Sequence, residues 1–178
     1  MGAFSADLQL VEPNIAFKDA YLELVNECRA AQEGYNPHRK ALRDFKVFVD
    51  ELQSMKRGEN LKPGIVPMTT YWLWRDGGKI IGESRLRHFL NPELEIEGGN
   101  IGYLIRPSER RKGFGTLILA LTMEKAVELG LKRVLVTCDS DNLGSARIIE
   151  KNGGVLAGYA ISPSDGKQVS RYWIDLAG

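Results

Sequence analysis

The stretch Ile101-Gly102-Tyr103-Leu104-Ile105-Arg106-Pro107-Ser108-Glu109-Arg110-Arg111-Lys112-Gly113-Phe114-Gly115-Thr116 constrains the chain more than any other. It reads as a strand, a basic loop, two glycines and a helix. Residues 101–105 can all pack, as a central strand requires. Pro107 ends the strand because it brings no N–H to a ladder. No Gly or Pro interrupts residues 116–129, where Glu124 and Glu128 mark a wet side of a mostly apolar segment. A helix start presents N–H groups without intrahelical acceptors, together with the positive end of the macrodipole. Gly113 and Gly115 let an anion approach the backbone closely, and Arg110, Arg111 and Lys112 stand beside them. A pyrophosphate would use this arrangement well; a plain solvated basic loop is the bland alternative.

Three phosphate-binding patterns can be compared with it. The P-loop spacing G-x-x-x-x-G-K-[ST] does not occur in the chain. A dinucleotide fingerprint is met only in part by Gly113-x-Gly115-x-x-Ile118, because a charged six-residue loop separates strand from glycines where that fold has a tight turn. The third pattern is Arg/Gln-x-x-Gly-x-Gly/Ala, here Arg110-Arg111-Lys112-Gly113-Phe114-Gly115. At this point, and in the wider Ile105-Arg106-Pro107-x-x-Arg110-x-x-Gly113-x-Gly115, the sequence resembles the GNAT superfamily of N-acetyltransferases. A second block, Asn142-Leu143-Gly144-Ser145-Ala146-Arg147-Ile148-Ile149-Glu150-Lys151-Asn152-Gly153-Gly154, is similar to that family's next motif at the expected separation. With the hairpin before them, roughly 100 residues carry the resemblance, closest to uncharacterised members with an extended N-terminal helical part.

The resemblance implies acetyl-CoA as acetyl donor, without a metal. It places the pantetheine arm along the backbone of Tyr103, Leu104, Ile105 and Arg106, where two parallel strands splay apart, and an amide near Ile105 on the thioester oxygen. The diphosphate falls to the loop Arg110, Arg111, Lys112, Gly113, Phe114, Gly115 and Thr116, and Asn142 and Ser145 approach from the other side. One departure stands out. Many members carry a tyrosine seven residues after the motif asparagine as the acid for the thiolate, and that position here is Ile149. The acid is then Tyr103, Tyr159, Tyr172 or water. Some relatives place a basic glutamate at the start of the organising strand; the aligned residue is Gly99, and Glu97 shares its side if the strand extends that far. Glu97 is the first candidate base and His88 the second. Glu83, with Arg85 and Arg87 on its side of the strand, is expected to form charge pairs. Cys138, in an apolar strand run, is expected to be a packed thiol rather than an acetyl carrier.

The rest of the chain supplies the frame. Residues 8–11 read as a short strand, 14–31 as a helix with Cys28 on its apolar side, and Gly34-Tyr35-Asn36-Pro37 as a break. Residues 39–57 read as a second helix and 58–67, with two glycines and two prolines, as a loop. Residues 69–75 and 79–90 form a hairpin around Asp76-Gly77-Gly78, and 91–97 a loop. A strand at 133–138, a short helix ending at Lys151, and strands at 155–161 and 170–176 complete the reading. The fold class is α/β: a mixed, largely antiparallel sheet with helices on both faces and one parallel strand pair. One domain is expected over residues 1–178, with its coenzyme-binding core at about 68–176. Balanced charge, 24 basic against 23 acidic residues, gives no general attraction to nucleic acid or membrane. Two cysteines make no disulfide framework, and no signal-peptide or membrane-spanning pattern appears, so the cytoplasm is the expected compartment. The expected activity is transfer of acetyl to a primary amine of a small-molecule or amino-acid-like acceptor, in a monomer or a homodimer. A non-catalytic acyl-CoA-binding module and a dinucleotide oxidoreductase are the competing readings.

Overall fold

A computed structural model describes residues 7–33 and 36–176. Four strands form one antiparallel sheet in the order β1 (Leu8–Val11), β2 (Met68–Arg75), β3 (Lys79–Arg87), β4 (Ile101–Ile105). A second antiparallel sheet has the order β5 (Arg133–Asp139), β7 (Gln168–Asp175), β6 (Val155–Ile161). The two meet where β4 begins. The Asn100 N–H donates to the Leu135 carbonyl at 2.7 Å, and the Leu135 N–H donates to Asn100 Oδ1 at 2.8 Å. The expected pairing of β4 with β5 is confined to this junction, beyond which the strands form no ladder, as the resemblance implies.

Helices cover both faces of the larger sheet. On one lie α1 (Lys18–Ala30), α2 (Asn36–Arg43) and α3 (Phe45–Arg57), whose Tyr21, Leu24, Phe45 and Phe48 pack on Trp72 and Ile80. On the other lies α5 (Phe114–Glu128), with Ile118 against Leu73, Ile81 and Ile105. Two further helices, α4 (Pro92–Ile96) and α6 (Leu143–Lys151), flank β4 and β5. Among the described residues no helix is long and apolar enough to cross a membrane.

Several boundaries differ from the sequence reading for local reasons. The helix expected at 39–57 is two helices, because the Asp44 side chain accepts the Val47 N–H at 3.1 Å and starts a new one. Asn14 likewise caps a single 3-10 turn before α1. Residues 34 and 35 of the expected break lie outside the described residues. β3 ends at Arg87, three residues early, leaving His88 in a bend. The expected loop at 91–97 holds α4, with Asn91 as its cap and Pro92 in its first turn.

Glu83 is a buried carboxylate among aromatic rings. It accepts from the Tyr21 hydroxyl at 2.7 Å and from Trp72 Nε1 at 3.2 Å, with Arg85 Nε 3.9 Å away. Arg87, expected to pair with it, instead donates to the carbonyls of Gly98 and Gly99. A buried charge is tolerable only when hydrogen-bonded, so this network fixes α1 to β2 and β3. His38 is buried edge-on against Tyr21, and burial holds its pKa below the ordinary histidine value, against the opposing pull of Glu83. His88 is shifted the same way, by burial and by Lys56. An unfolded histidine titrates near about 6.5, so below that pH the unfolded chain binds more protons than the folded one. Stability should therefore fall as pH drops from 7.5 to 5.5. Urea midpoints across that range should show the slope, and His38→Gln should flatten it; a slope identical in His38→Gln would refute this origin.

Candidate active site

β4 is the edge of its sheet along most of its length. Asn100 gives its carbonyl to Arg87 on β3, and Arg106 gives its N–H to Ile81 on β3. The two-residue alternation of an antiparallel ladder then turns the N–H groups of Tyr103 and Ile105 to the open edge. The Ile105 carbonyl is taken by Arg110 Nε at 3.0 Å, which leaves its N–H free for a ligand on that side.

The open edge is one wall of a cavity of about 690 Å³. Tyr103, Leu104 and Ile105 form this wall, and the start of α5 with Gly113, Gly115 and Thr116 forms the end. Asn142, Ser145, Arg147, Ile148 and Lys151 line it from α6 and its cap. Helix α5 begins at Phe114, two residues before the sequence reading put it. Gly113 is its cap at φ 87°, a left-handed conformation that favours glycine. The N–H groups of residues 114–116 therefore open on the cavity end without intrahelical acceptors.

The basic loop is less free than its composition suggests. Arg110 is held in a bidentate pair by Glu33, far away in sequence, although both still line the cavity. Lys112 turns to the buried Glu109 at 3.1 Å, which Lys79 and Arg75 also approach. Arg106 is buried, pairs with Glu27 at 2.8 Å and is outside the lining. Burial opposes ionisation of Glu27 and Glu109, yet hydrogen bonds from Ser108 and Arg106, and from Lys79 and Lys112, hold both below the usual carboxylate range. Phe114 packs into the core beneath Arg75, whose guanidinium lies 5.0 Å from its ring centre. Of the three loop cations, only Arg111 lines the cavity without a carboxylate partner among the described residues. So Arg106, Lys112 and Phe114 shape the loop rather than face the cavity.

Gly115 has a second task. A Cβ there would sit 2.5 Å from Ile148 Cδ1, so the missing side chain brings α6 against α5. Asn152 clasps the same contact, donating to the carbonyls of Thr116 at 3.2 Å and Ile148 at 2.9 Å. At the other end Asn142 Oδ1 caps α6 by accepting the Ser145 N–H at 3.0 Å. Arg147, Ile148 and Lys151 are lining residues that the sequence reading does not include, although Lys151 follows the other two by four and three residues, a spacing that puts it on their side of a recognised helix.

Ile149, at the position of the usual tyrosine, is fully buried against β5 and β7. Of the three candidate tyrosines, Tyr103 is the one that lines the cavity, and its hydroxyl lies among the packed side chains beside it. It is buried without a hydrogen-bond partner among the described residues, and burial pushes its pKa up to about 12. The Ser145 side chain is a polar neighbour that opposes this rise. Cys138 lies in the same cluster, and burial, with Asp139 beside it, pushes its thiol up to about 11. A protonated thiol is a poor nucleophile. Cys138→Ala should keep most of the turnover, and mass spectrometry should find no acetylated Cys138 during reaction.

The two candidate bases sit elsewhere. Glu97 is not on the strand: it ends α4, and Gly98 and Gly99, at φ 102° and 57°, turn the chain before β4 begins. Its carboxylate accepts from Ser162 Oγ at 2.8 Å and Ser164 Oγ at 3.2 Å, on the turn between β6 and β7. His88 shares a hydrogen bond with Thr69 Oγ1 at 2.8 Å. Neither residue lines the cavity.

The cradle at Gly113 makes a direct test. Gly113→Val adds a branched side chain at a left-handed position where an anion would approach, and should weaken acetyl-CoA binding at least tenfold, about 1.4 kcal/mol. Calorimetric titration of a folded variant that showed normal affinity would move the anion elsewhere.

A strand splayed from its neighbour, a helix start facing the gap and a second helix closing it define a coenzyme-binding acyltransferase architecture. A family model for the acetyltransferase (GNAT) domain matches residues 8–155, and the chain belongs to that family. No curated protein sequence matches it significantly. Solved structures share the fold at low identity. An acetyltransferase from Salmonella typhimurium that modifies the N-terminal serine of ribosomal protein L7/L12 is 18% identical, covers 97% of both chains and superposes with a TM-score of 0.69. RimJ of Mycobacterium smegmatis, in complex with CoA-disulfide, is 15% identical over 94% of this chain and 81% of its own, with a TM-score of 0.73. The microcin C7 self-immunity acetyltransferase MccE, in complex with acetyl-CoA and AMP, is 15% identical over 96% and 93%, with a TM-score of 0.69.

Proposed function

We propose that the protein transfers acetyl from acetyl-CoA directly to the primary amine of a small-molecule or amino-acid-like acceptor, with the coenzyme in the cavity between β4, α5 and α6. The observation that carries this reading is the open edge of β4 leading to the start of α5 inside one cavity. The residues suit the coenzyme: free N–H groups beside β4 for an amide-bearing arm, and a glycine-capped helix start with Arg111 for a diphosphate. Acetyl-CoA supplies the activated thioester that a neutral amine attacks.

The chain's own groups then have distinct tasks. The Ile105 N–H, on the open edge, holds the thioester oxygen as charge builds on it. The Tyr103 hydroxyl, protonated throughout the neutral range, donates its proton to the sulfur as the C–S bond breaks, and the proton that the attacking nitrogen sheds once the C–N bond has formed restores it. Glu97 and His88, spent on serine and threonine hydroxyls, are left as groups that tie loops together, and the ammonium proton leaves to solvent before the amine is bound. The rate should then rise with pH toward the acceptor's own pKa. The fixed cysteine at 138 takes no covalent part.

Calorimetry with acetyl-CoA and with NAD, followed by thiol release over a panel of small amines, amino acids and short peptides, tests the reading. Binding of acetyl-CoA but not NAD, with thiol release for at least one amine, is the expected result. NAD binding without acetyl-CoA binding would overturn it. Acetyl-CoA binding with no release for any amine would favour the non-catalytic module.

A further inference from the structure

The two faces of β4 are furnished differently. Ile101, Tyr103 and Ile105 pack on the side of α5, in the clusters that hold Leu119 and Ile118. Side chains alternate along a strand, so Gly102 and Leu104 face the side of α1 and α3, where Leu104 joins their cluster. The coenzyme cavity is walled by α5 and α6, which leaves the other face for the acceptor.

That face opens at Gly102. The register sets Glu83 opposite Leu104 and Arg85 opposite Gly102. Glu83 is buried beneath α1, where it accepts from Tyr21 and Trp72, whereas Arg85, two residues on, is partly exposed. The cover of the helices therefore ends between them. Arg85 Nη2 lies 3.4 Å from the place a Gly102 Cβ would take, so the guanidinium rests against the backbone of β4 one residue before Tyr103. At 3.9 Å from Arg85 Nε, Glu83 is outside hydrogen-bond range. Beyond the gap, Arg171 of β7 pairs in register with Thr137 of β5, facing away from the cluster of Val136 and Tyr172. Its Nε is buried with no hydrogen-bond partner among the described residues. The nearby Glu97 is tied to Ser162 and Ser164.

Resting on the acetyl-transfer reading above, we propose that the acceptor enters over Gly102 and carries a carboxylate that Arg85 binds, with Arg171 adding positive charge from beyond the gap. The acceptor class is a primary amine that is also an acid, either a free amino acid or a short peptide. A guanidinium fork matches a carboxylate with two parallel hydrogen bonds, which an ammonium does not reproduce. Capping the carboxylate as an amide removes that match and leaves the site's own donors unpaired.

Thiol release from acetyl-CoA by the full chain tests this, with amino acids and short peptides each measured beside the corresponding C-terminal amide. The wild type should favour the acid at least tenfold in kcat/KM for one of the two sets, and the set that shows it separates a free amino acid from a peptide. Arg85→Gln should reduce that preference to threefold or less, chiefly through the KM of the acid, and Arg85→Lys should restore part of it. Both variants should bind acetyl-CoA within twofold of the wild type in calorimetry, because Arg85 lies outside the coenzyme cavity. A wild type that uses the amides as well as the acids would overturn the carboxylate site and leave acetyl transfer intact, with no variant needed. An Arg85→Gln protein that keeps the preference would do the same. Thiol release with no amine at all would overturn the transferase reading and this one with it.

Discussion

Tyr103→Phe should lower kcat about 10²-fold while leaving the KM for acetyl-CoA within threefold. A positioned acid contributes about 10²–10⁴, and the low end applies because a coenzyme thiol has a free pKa near about 8.5 and water can protonate part of the departing thiolate. What distinguishes this variant from a structural lesion is the sign of its stability change. The hydroxyl is buried with no hydrogen-bond partner among the described residues, and such a group costs about 1–3 kcal/mol in the folded state. Removing it should leave the protein as stable as before, or more so by about 1 kcal/mol. Slower and no less stable is the expected pair of outcomes in stopped thiol release and urea denaturation. Full activity would assign the acid to water, and a less stable variant would mean that the hydroxyl has a structural partner.

How far the sequence disclosed this site depends on the range of the interaction. The strand ended by Pro107 and the two glycines leading into α5 are local events, decided by a few neighbouring residues, and they were legible, although α5 begins at Phe114 rather than Thr116. Strand β6 was placed to the residue for the same reason, bounded by Gly153-Gly154 and a turn. The fate of the basic loop was not legible in full. Nothing near Arg110 says that Glu33, across the fold, will hold it, because periodicity carries no information on pairs so distant in sequence. Glu109 taking Lys112 was within reach, since the two are three residues apart, but the burial of Glu109 beside Lys79 depends on the tertiary fold.

Glu97 shows the other kind of miss. Extending β4 backward through Gly98 and Gly99 assumed an extended backbone, and both glycines have positive φ. Two glycines in a row before a strand argue for a turn as much as for an open strand end. The turn also explains why the aligned position is a glycine here: no side chain of any kind fits between it and β5.

Gly99→Ala should cost about 4 kcal/mol of stability. A Cβ at this position would lie 2.3 Å from the Leu135 carbonyl oxygen, 2.9 Å from its carbon and 3.3 Å from the Val136 Cα. All three are backbone atoms of β5, so no side-chain rotation relieves the contact. The backbone itself, at φ 57°, adds strain for a residue with a Cβ. Relief requires β4 and β5 to part, and their junction consists of the two hydrogen bonds between Asn100 and Leu135, with Gly98 N–H to Thr137 Oγ1 beside it at 2.9 Å. Asn100 is buried, so each broken bond strands a polar group at about 1–3 kcal/mol. The same movement widens the cavity at its β4 wall, so the surviving folded fraction should bind acetyl-CoA more weakly. Asn100→Ala removes the side-chain bond without the clash and should cost about half as much. Urea denaturation of both variants gives the comparison. A Gly99→Ala protein within about 1 kcal/mol of wild type would mean that the two sheets are joined by something other than this junction.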